Sequence, residues 1–187
     1  MKIIAEIGWN HMGDMTLAKK MIESAAINGA DYCKFQTWSE KNLKSGAWDD
    51  DGRREIYKKA QLTEEKHYLL KNICEKNNVK FMTSIFNIAD IDFLANLNSK
   101  VIKIPSMEAY NLDLINAALT NFDSVLISTG ASKWSEITEI SSLANFQKVT
   151  FLHCVSTYPC SPEKINFPKM DKLKSLTKNI GYSGHYE

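Results

Sequence analysis

Charged side chains interrupt several short apolar stretches of this sequence. Glu6 lies within IIAEIG, Lys34 within DYCKFQT and Lys103 within KVIKIPS. A charge buried in a strand is costly unless it is paired or bound to a ligand. Glu6 is therefore either a satisfied structural acid or a working one, and a buried lysine needs an anion or a lowered pKa.

Hydroxyl side chains follow the same pattern, because they recur at the carboxyl ends of the apolar stretches. These residues are Ser84, Ser106, Ser128, Thr129, Ser156 and Ser183. Any single hydroxyl could be a helix cap or a turn residue. Together with two strand lysines, however, they form a natural receptor for phosphate and carboxylate groups.

Strands and helices alternate along the whole chain. Strands are predicted within IIAEIG and at 31–37, 79–85, 100–106, 124–129, 149–155 and 179–185, with helices at 14–28, 63–77, 89–97, 111–119, 132–143 and 170–176. The first strand is expected to be buried on both faces. Such alternation predicts a parallel sheet, either doubly wound or closed into a (β/α)8 barrel. The barrel is favoured because the polar strand ends would converge on one mouth, and no GxGxxG motif follows the first strand.

Composition narrows the function classes. The chain has 187 residues, 44% of them hydrophobic, and a net charge of +1. One domain is therefore expected, with neither a nucleic-acid nor a membrane partner. Four cysteines without CxxC spacing indicate buried, reduced thiols and a cytoplasmic location. The polar segment 38–61 is long for a connection, which favours a functional loop.

Seven ordered segments resemble the N-acetylneuraminate (sialic acid) synthase family, which includes legionaminate and pseudaminate synthases and a spore-coat polysaccharide protein. The segments are AEIGWNHMGD, KFQT, FMTSIF, IKIPS, ISTGAS, FLHCVSTYP and IGYSGH. The resemblance implies a TIM-type (β/α)8 barrel that condenses phosphoenolpyruvate with an N-acylated amino-sugar aldehyde. The products would be a nine-carbon 2-keto sugar acid and phosphate, and the cofactor would be a divalent metal, Mn²⁺ or Mg²⁺.

The resemblance also assigns residues. Glu6 matches the catalytic carboxylate, His185 matches one of two metal-ligating histidines, and Tyr158 and Ser156 match sugar-contacting positions, although some members have Asn at the latter. The matched phosphoenolpyruvate-binding positions are Lys34, Ser84, Lys103, Ser106, Ser128, Thr129 and Ser183. The loop 38–61 is expected to select the sugar.

A (β/α)8 barrel needs about 250 residues, so this chain is expected to be an incomplete barrel domain over residues 1–187. The eighth βα unit, with the second metal histidine, and a C-terminal antifreeze-like domain are not found in it. Two alternatives to the synthase stay open. One is a non-catalytic barrel that binds an anion or sugar or acts as a scaffold. The other is an aldolase that uses a strand lysine as a Schiff base. A homodimer that completes the barrel is a further expectation.

Overall fold

A computed structural model describes residues 1–43 and 45–185. The chain divides into two compact units, Met1–Ser84 and Ile85–Glu187. In both units parallel strands alternate with helices, as the sequence predicts. The prediction of a single barrel domain over 1–187 stays a prediction, and each unit is described by itself.

The first unit contains three strands and three helices. In chain order these are β1 (Ile4–Gly8), α1 (Met15–Ile27), β2 (Tyr32–Thr37), α2 (Arg53–Ala60), α3 (Glu64–Lys76) and β3, which starts at Lys80 and ends at Ile85. β1 and β2 are parallel, with Ile4 opposite Tyr32 and Glu6 opposite Lys34. The register then shifts between Glu6 and Gly8, where β1 turns into the loop before α1.

The second unit contains four strands and four helices. These are α4 (Ile91–Asn96), β4 (Val101–Ile104), α5 (Leu112–Asn121), β5 (Ser124–Ser128), α6 (Trp134–Ile140), β6 (Val149–His153), α7 (Pro168–Lys174) and β7 (Ile180–Tyr182). β4, β5, β6 and β7 are parallel neighbours in chain order. Their buried aliphatic side chains form the core together with α5.

Local sequence signals account for two of the longest helices. Asp14 caps α1, since its carboxylate accepts from the N–H groups of Thr16 and Leu17 at 2.7 and 3.1 Å, and Asn28 follows the helix. Thr63 caps α3 by accepting from Lys66 N–H at 3.4 Å. A side-chain oxygen at this position satisfies an otherwise unpaired donor of the first turn.

One expectation about these elements is wrong, because β1 is not buried on both faces: the Glu6 side chain is 48% exposed. The polar segment 38–61 contains a helix, α2, and two short 3₁₀ turns, and its functional role stays a prediction; position 44 of this segment lies outside the described residues. At the start of α6, Glu136 accepts from the N–H of Lys133 at 2.7 Å.

All four cysteines, at positions 33, 74, 154 and 160, are buried, in agreement with the prediction. Across residues 1–43 and 45–185, no helix has the length and apolar character that a bilayer crossing requires.

Candidate functional site

The first unit brings together Glu6 of β1, Lys34 of β2 and Ser84 of β3. The Lys34 ammonium forms an ion pair with the Glu6 carboxylate, its register partner on β1. The same Nζ donates a hydrogen bond to Ser84 Oγ at 3.0 Å. Lys34 and Ser84 are 3% and 2% exposed, so the cation is fixed in a buried setting while the carboxylate reaches solvent.

Burial lowers the pKa of Lys34, and the neighbouring Glu6 carboxylate partly restores it. A buried ammonium is costly because it loses its hydration, and its ion pair with the half-exposed Glu6 carboxylate offsets part of that cost. Within the described residues its partners are Glu6 and Ser84, which use two of the three ammonium protons. The third is available to a bound anion.

Gly8 opens space beside this cluster. Its φ of +57° is in the left-handed region, and a Cβ placed there would lie 3.1 Å from Glu6 Oε1 and 3.5 Å from Gln36 Nε2. Gln36 therefore lies close to the carboxylate. It was not among the predicted site residues, although its position two residues after Lys34 places it on the same face of β2.

A chain of buried polar groups lies in the same unit. Thr37 Oγ1 is 2.8 Å from both His67 Nε2 and Thr83 Oγ1, and His67 Nδ1 is 2.8 Å from the carbonyl oxygen of Thr63. No local signal could have found this group, because its members are 30 and 46 residues apart in the chain.

The second unit gathers hydroxyls around Gly130. The Gly130 N–H donates to Ser106 Oγ at 3.2 Å. A Cβ at Gly130 would lie 2.5 Å from Ser156 Oγ, 3.0 Å from Ser106 Oγ and 3.1 Å from Cys154 Sγ. The absence of a side chain at Gly130 thus lets the hydroxyls of two predicted ligand-binding serines lie close to one backbone position. Such a group of donors suits an oxyanion.

The other predicted positions of this unit are placed at strand ends. Lys103 on β4 is 8% exposed. Ser128 ends β5, and its buried hydroxyl has no hydrogen-bond partner in the described structure. Thr129 donates its hydroxyl to the carbonyl of Leu152 at 3.2 Å, which ties β5 to β6. Ser183 follows β7 and donates its N–H to the carbonyl of His153 at 2.8 Å.

His185 lies against Tyr158, with ring centroids 4.0 Å apart. Its Nδ1 is 3.3 Å from the carbonyl oxygen of Val155, and in the tautomer in which Nδ1 donates to that carbonyl, Nε2 is the metal-binding nitrogen. That tautomer is the one a metal-binding histidine uses when Nδ1 is held by a carbonyl. Cys154 Sγ lies 3.9 Å from Nδ1.

The divalent metal, with His185 as one ligand, stays a prediction. In the described part of the chain, no group of three or more His, Cys, Asp or Glu side chains could hold a metal ion. His185 thus fits as one ligand, but the described residues do not form a complete metal site.

The remaining histidines on strands and loops are buried. His153 Nε2 donates to the carbonyl of Ile165 at 2.5 Å, in agreement with a core position. His11 Nδ1 accepts from the N–H of Gly13 at 3.0 Å, and burial lowers the pKa of His11. These contacts are structural ones that shape the loops around the strand ends.

Comparison with known proteins supports a common origin for this arrangement. The family model described as "NeuB family" matches residues 21–187. The chain is 35% identical to N,N'-diacetyllegionaminic acid synthase of Campylobacter jejuni, over 98% of this chain and 60% of that protein. It is 32% identical to pseudaminic acid synthase of Helicobacter pylori, over 98% and 58%.

A solved structure shows the same fold. The N-acetylneuraminic acid (sialic acid) synthetase of Leptospira borgpetersenii superposes with a TM-score of 0.88 at 32% identity, covering 98% of this chain and 65% of that one. The chain belongs to the NeuB family. Its fold class is that of the (β/α)8-type barrel, with seven parallel strands in the described residues, as predicted. The chain spans about 60% of the length of the curated relatives it matches.

Proposed function

We propose that the protein condenses phosphoenolpyruvate with an N-acylated amino-sugar aldehyde, N-acetylmannosamine or a 6-deoxy diacetamido hexose. The products are a nine-carbon 2-keto sugar acid and inorganic phosphate. The observation that carries the proposal is the Glu6–Lys34–Ser84 cluster in a chain of the NeuB family. It supplies a buried cation, a hydroxyl and a solvent-reached carboxylate at the ends of adjacent strands.

Lys34 and Ser84 are suited to hold the anionic substrate. Phosphoenolpyruvate carries a phosphate and a carboxylate, and a buried ammonium and hydroxyl donate charge-assisted hydrogen bonds to such groups. The enol carbon attacks the aldehyde carbon to form the new C–C bond, the aldehyde oxygen takes up a proton to become a hydroxyl, and positive charge develops at C2. Water adds at C2 with loss of one proton. The C2–O bond to phosphate then breaks and the new C2 hydroxyl loses its proton to give the ketone, so phosphate leaves with the bridging oxygen. The fixed charges stabilise these changes without reorganising.

Glu6 is the group suited to move the proton. Its carboxylate is held by the Lys34 ammonium, yet 48% of its side chain is exposed, so substrate and water can reach it. In the proposed reaction the carboxylate accepts the proton of the water that adds at C2, as a general base does.

The remaining predicted residues keep the roles that the resemblance implies. Lys103, Ser106, Ser128, Thr129 and Ser183 are proposed phosphoenolpyruvate-binding residues, and Ser156 and Tyr158 are proposed sugar-binding residues. Two features support binding of an oxyanion in the second unit. They are the buried Ser128 hydroxyl, which has no hydrogen-bond partner in the described structure, and the hydroxyls around Gly130. We further propose that the loop 38–61 selects the sugar and that the reaction takes place in the cytoplasm.

A divalent metal, Mn²⁺ or Mg²⁺, belongs to the proposal with His185 Nε2 as one ligand. When bound, such an ion supplies a Lewis acid for the aldehyde oxygen. Mn²⁺ binding, measured by electron paramagnetic resonance, is expected to weaken at least about tenfold in H185A and to stay unchanged in Y158A, which keeps the imidazole. Equal binding by wild type and H185A would remove His185 from the metal site.

Activity is tested by phosphate release from phosphoenolpyruvate with Mn²⁺ and a panel of N-acyl amino sugars, in the longest natural polypeptide that contains this sequence. K34M is expected to lower kcat/KM by about 10² or more, since it deletes the fixed positive charge that holds the anionic groups of phosphoenolpyruvate and the departing phosphate. K19M, on the exposed face of α1, is the matched control and is expected to be neutral. Phosphoenolpyruvate binding without turnover with any sugar would favour the non-catalytic alternative.

The lowered pKa of Lys34 also favours a second candidate, a Schiff-base aldolase, because a neutral amine is the nucleophile in that chemistry. Borohydride reduction in the presence of pyruvate separates the two. The condensation proposal predicts no label at Lys34 or Lys103, and a label on either lysine would support the aldolase.

A further inference from the structure

The buried polar network of the first unit, formed by Thr37, His67 and Thr83, has no role in the proposed chemistry. His67 on α3 contacts Thr37 at the end of β2, and Thr37 contacts Thr83 on β3. The three side chains are 1%, 5% and 0% exposed. Buried polar groups of this kind are costly unless each donor and acceptor is satisfied, so a complete network fixes the elements that carry it.

At neutral pH, the tautomer of His67 assigns the donors and acceptors of this hydrogen-bond network. The carbonyl of Thr63 accepts from His67 Nδ1, so Nδ1 carries a proton. Burial lowers the pKa of His67, so the ring is neutral and Nε2 is an acceptor. The Thr37 hydroxyl then donates to Nε2 and accepts from Thr83, whose hydroxyl also lies 3.4 Å from the carbonyl oxygen of Ser84.

The network lies on the opposite side of the strands from the cationic cluster. Successive residues of a strand point to opposite faces, and Thr83 immediately precedes Ser84. Thr37 likewise lies three residues after Lys34 on β2. Fixing Thr37 and Thr83 against α3 therefore fixes Lys34 and Ser84 on the other face, where they are joined at 3.0 Å.

We propose that His67 is a positioning residue for the phosphoenolpyruvate site, acting through Thr37 and Thr83 on the Lys34–Ser84 pair. It holds the ends of β2 and β3 in register, so that the Ser84 hydroxyl and the Lys34 ammonium face the ligand together. The role in binding rests on the proposed function, whereas the effect on Lys34 and Ser84 does not.

The test compares two variants of His67. H67L removes both ring hydrogen bonds, and H67Q keeps one donor and one acceptor. We expect H67L to raise the Kd and KM for phosphoenolpyruvate about tenfold with a smaller change in kcat, and H67Q to stay within about threefold of wild type. The matched control is L70A. It opens a cavity at a fully buried position of the same helix and keeps every hydrogen-bonding side chain of the network.

Two NMR measurements keep the proposal independent of catalysis. The ¹⁵N shifts of His67 should show a proton on Nδ1 and none on Nε2 at pH 7. The pKa of Lys34, followed by ¹³Cε and ¹⁵Nζ shifts, should fall in H67L because the ammonium loses a well-placed acceptor, and should be unchanged in L70A. If phosphoenolpyruvate fails to bind wild type, the proposed function fails and these two readouts decide on His67. A protonated Nε2, or equal effects of H67L and L70A, would overturn the positioning role.

Discussion

Replacing Glu6 with glutamine tests how the Lys34 ammonium is stabilised. The substitution keeps the shape of the side chain and a hydrogen-bond acceptor, but it removes the charge paired with Lys34. A hydrogen bond to a charged group contributes about 1.5–3 kcal/mol. Because Glu6 is 48% exposed, water competes for its carboxylate, and the loss in the free energy of unfolding at pH 7 is expected to be about 1–2 kcal/mol.

The difference in the free energy of unfolding between wild type and E6Q is expected to depend on pH. Burial lowers the pKa of Lys34 from its ordinary 10.5, and Glu6 is the group that raises it again. Between the folded-state pKa and 10.5, the unfolded chain binds a proton that the folded chain has released, so stability rises with pH. In E6Q the folded-state pKa of Lys34 is lower than in wild type, so the pH range in which stability rises begins at a lower pH. The deficit of E6Q relative to wild type is therefore largest near neutrality and shrinks as pH approaches 10.5.

Urea denaturation of both proteins from pH 6 to 10.5 measures this difference. The control is E23Q, whose carboxylate pairs with Lys19 at 3.7 Å on an exposed helix face and should matter little at any pH. A deficit of E6Q that stays constant over this range, or one no larger than that of E23Q, would refute the electrostatic account of the pair.

Three further predictions concern the loops and caps that position the site. G13A is expected to destabilise by at least about 2 kcal/mol more than G29A: a Cβ at Gly13 would overlap the backbone carbonyl of Lys59, whereas Gly29, with a similar positive φ, has nothing within 4 Å and should lose only about 1 kcal/mol. Urea denaturation compares them, and equal losses would contradict the clash. D14A should cost about 1 kcal/mol through the lost cap of α1, and D14N should recover most of it; no difference between them and wild type would dismiss the cap. G130A should weaken phosphoenolpyruvate binding about tenfold in calorimetry, because its Cβ displaces Ser106 and Ser156, and a wild-type affinity would exclude that hydroxyl group from the binding site.

Local signals in the sequence predict much of the fold. Asp14 and Thr63 mark the starts of α1 and α3, and the apolar stretches mark the strands. α2 was missed because its sequence RREIYKKA is strongly polar and it begins after Gly52, which offers no side-chain cap.

The candidate site was predictable in its residue types but not in its contacts. Placement of Lys34 and Ser84 at strand ends follows from pattern alone, and the structure joins them. The exposure of Glu6 depends on which strands flank β1, a tertiary property with no local signal. The His67 network depends on contacts between three elements distant in sequence, so only the folded chain reveals it.

The position of bond cleavage in phosphoenolpyruvate tests the proposed condensation most directly. With ¹⁸O in the oxygen that bridges C2 and phosphorus, the protein is incubated with Mn²⁺ and the amino-sugar panel, and both products are analysed by mass spectrometry. The proposal predicts ¹⁸O in the released phosphate and a nine-carbon 2-keto acid formed in equal amount. Retention of ¹⁸O in pyruvate, with unlabelled phosphate and no nine-carbon product, would show simple phosphate hydrolysis and contradict the proposal.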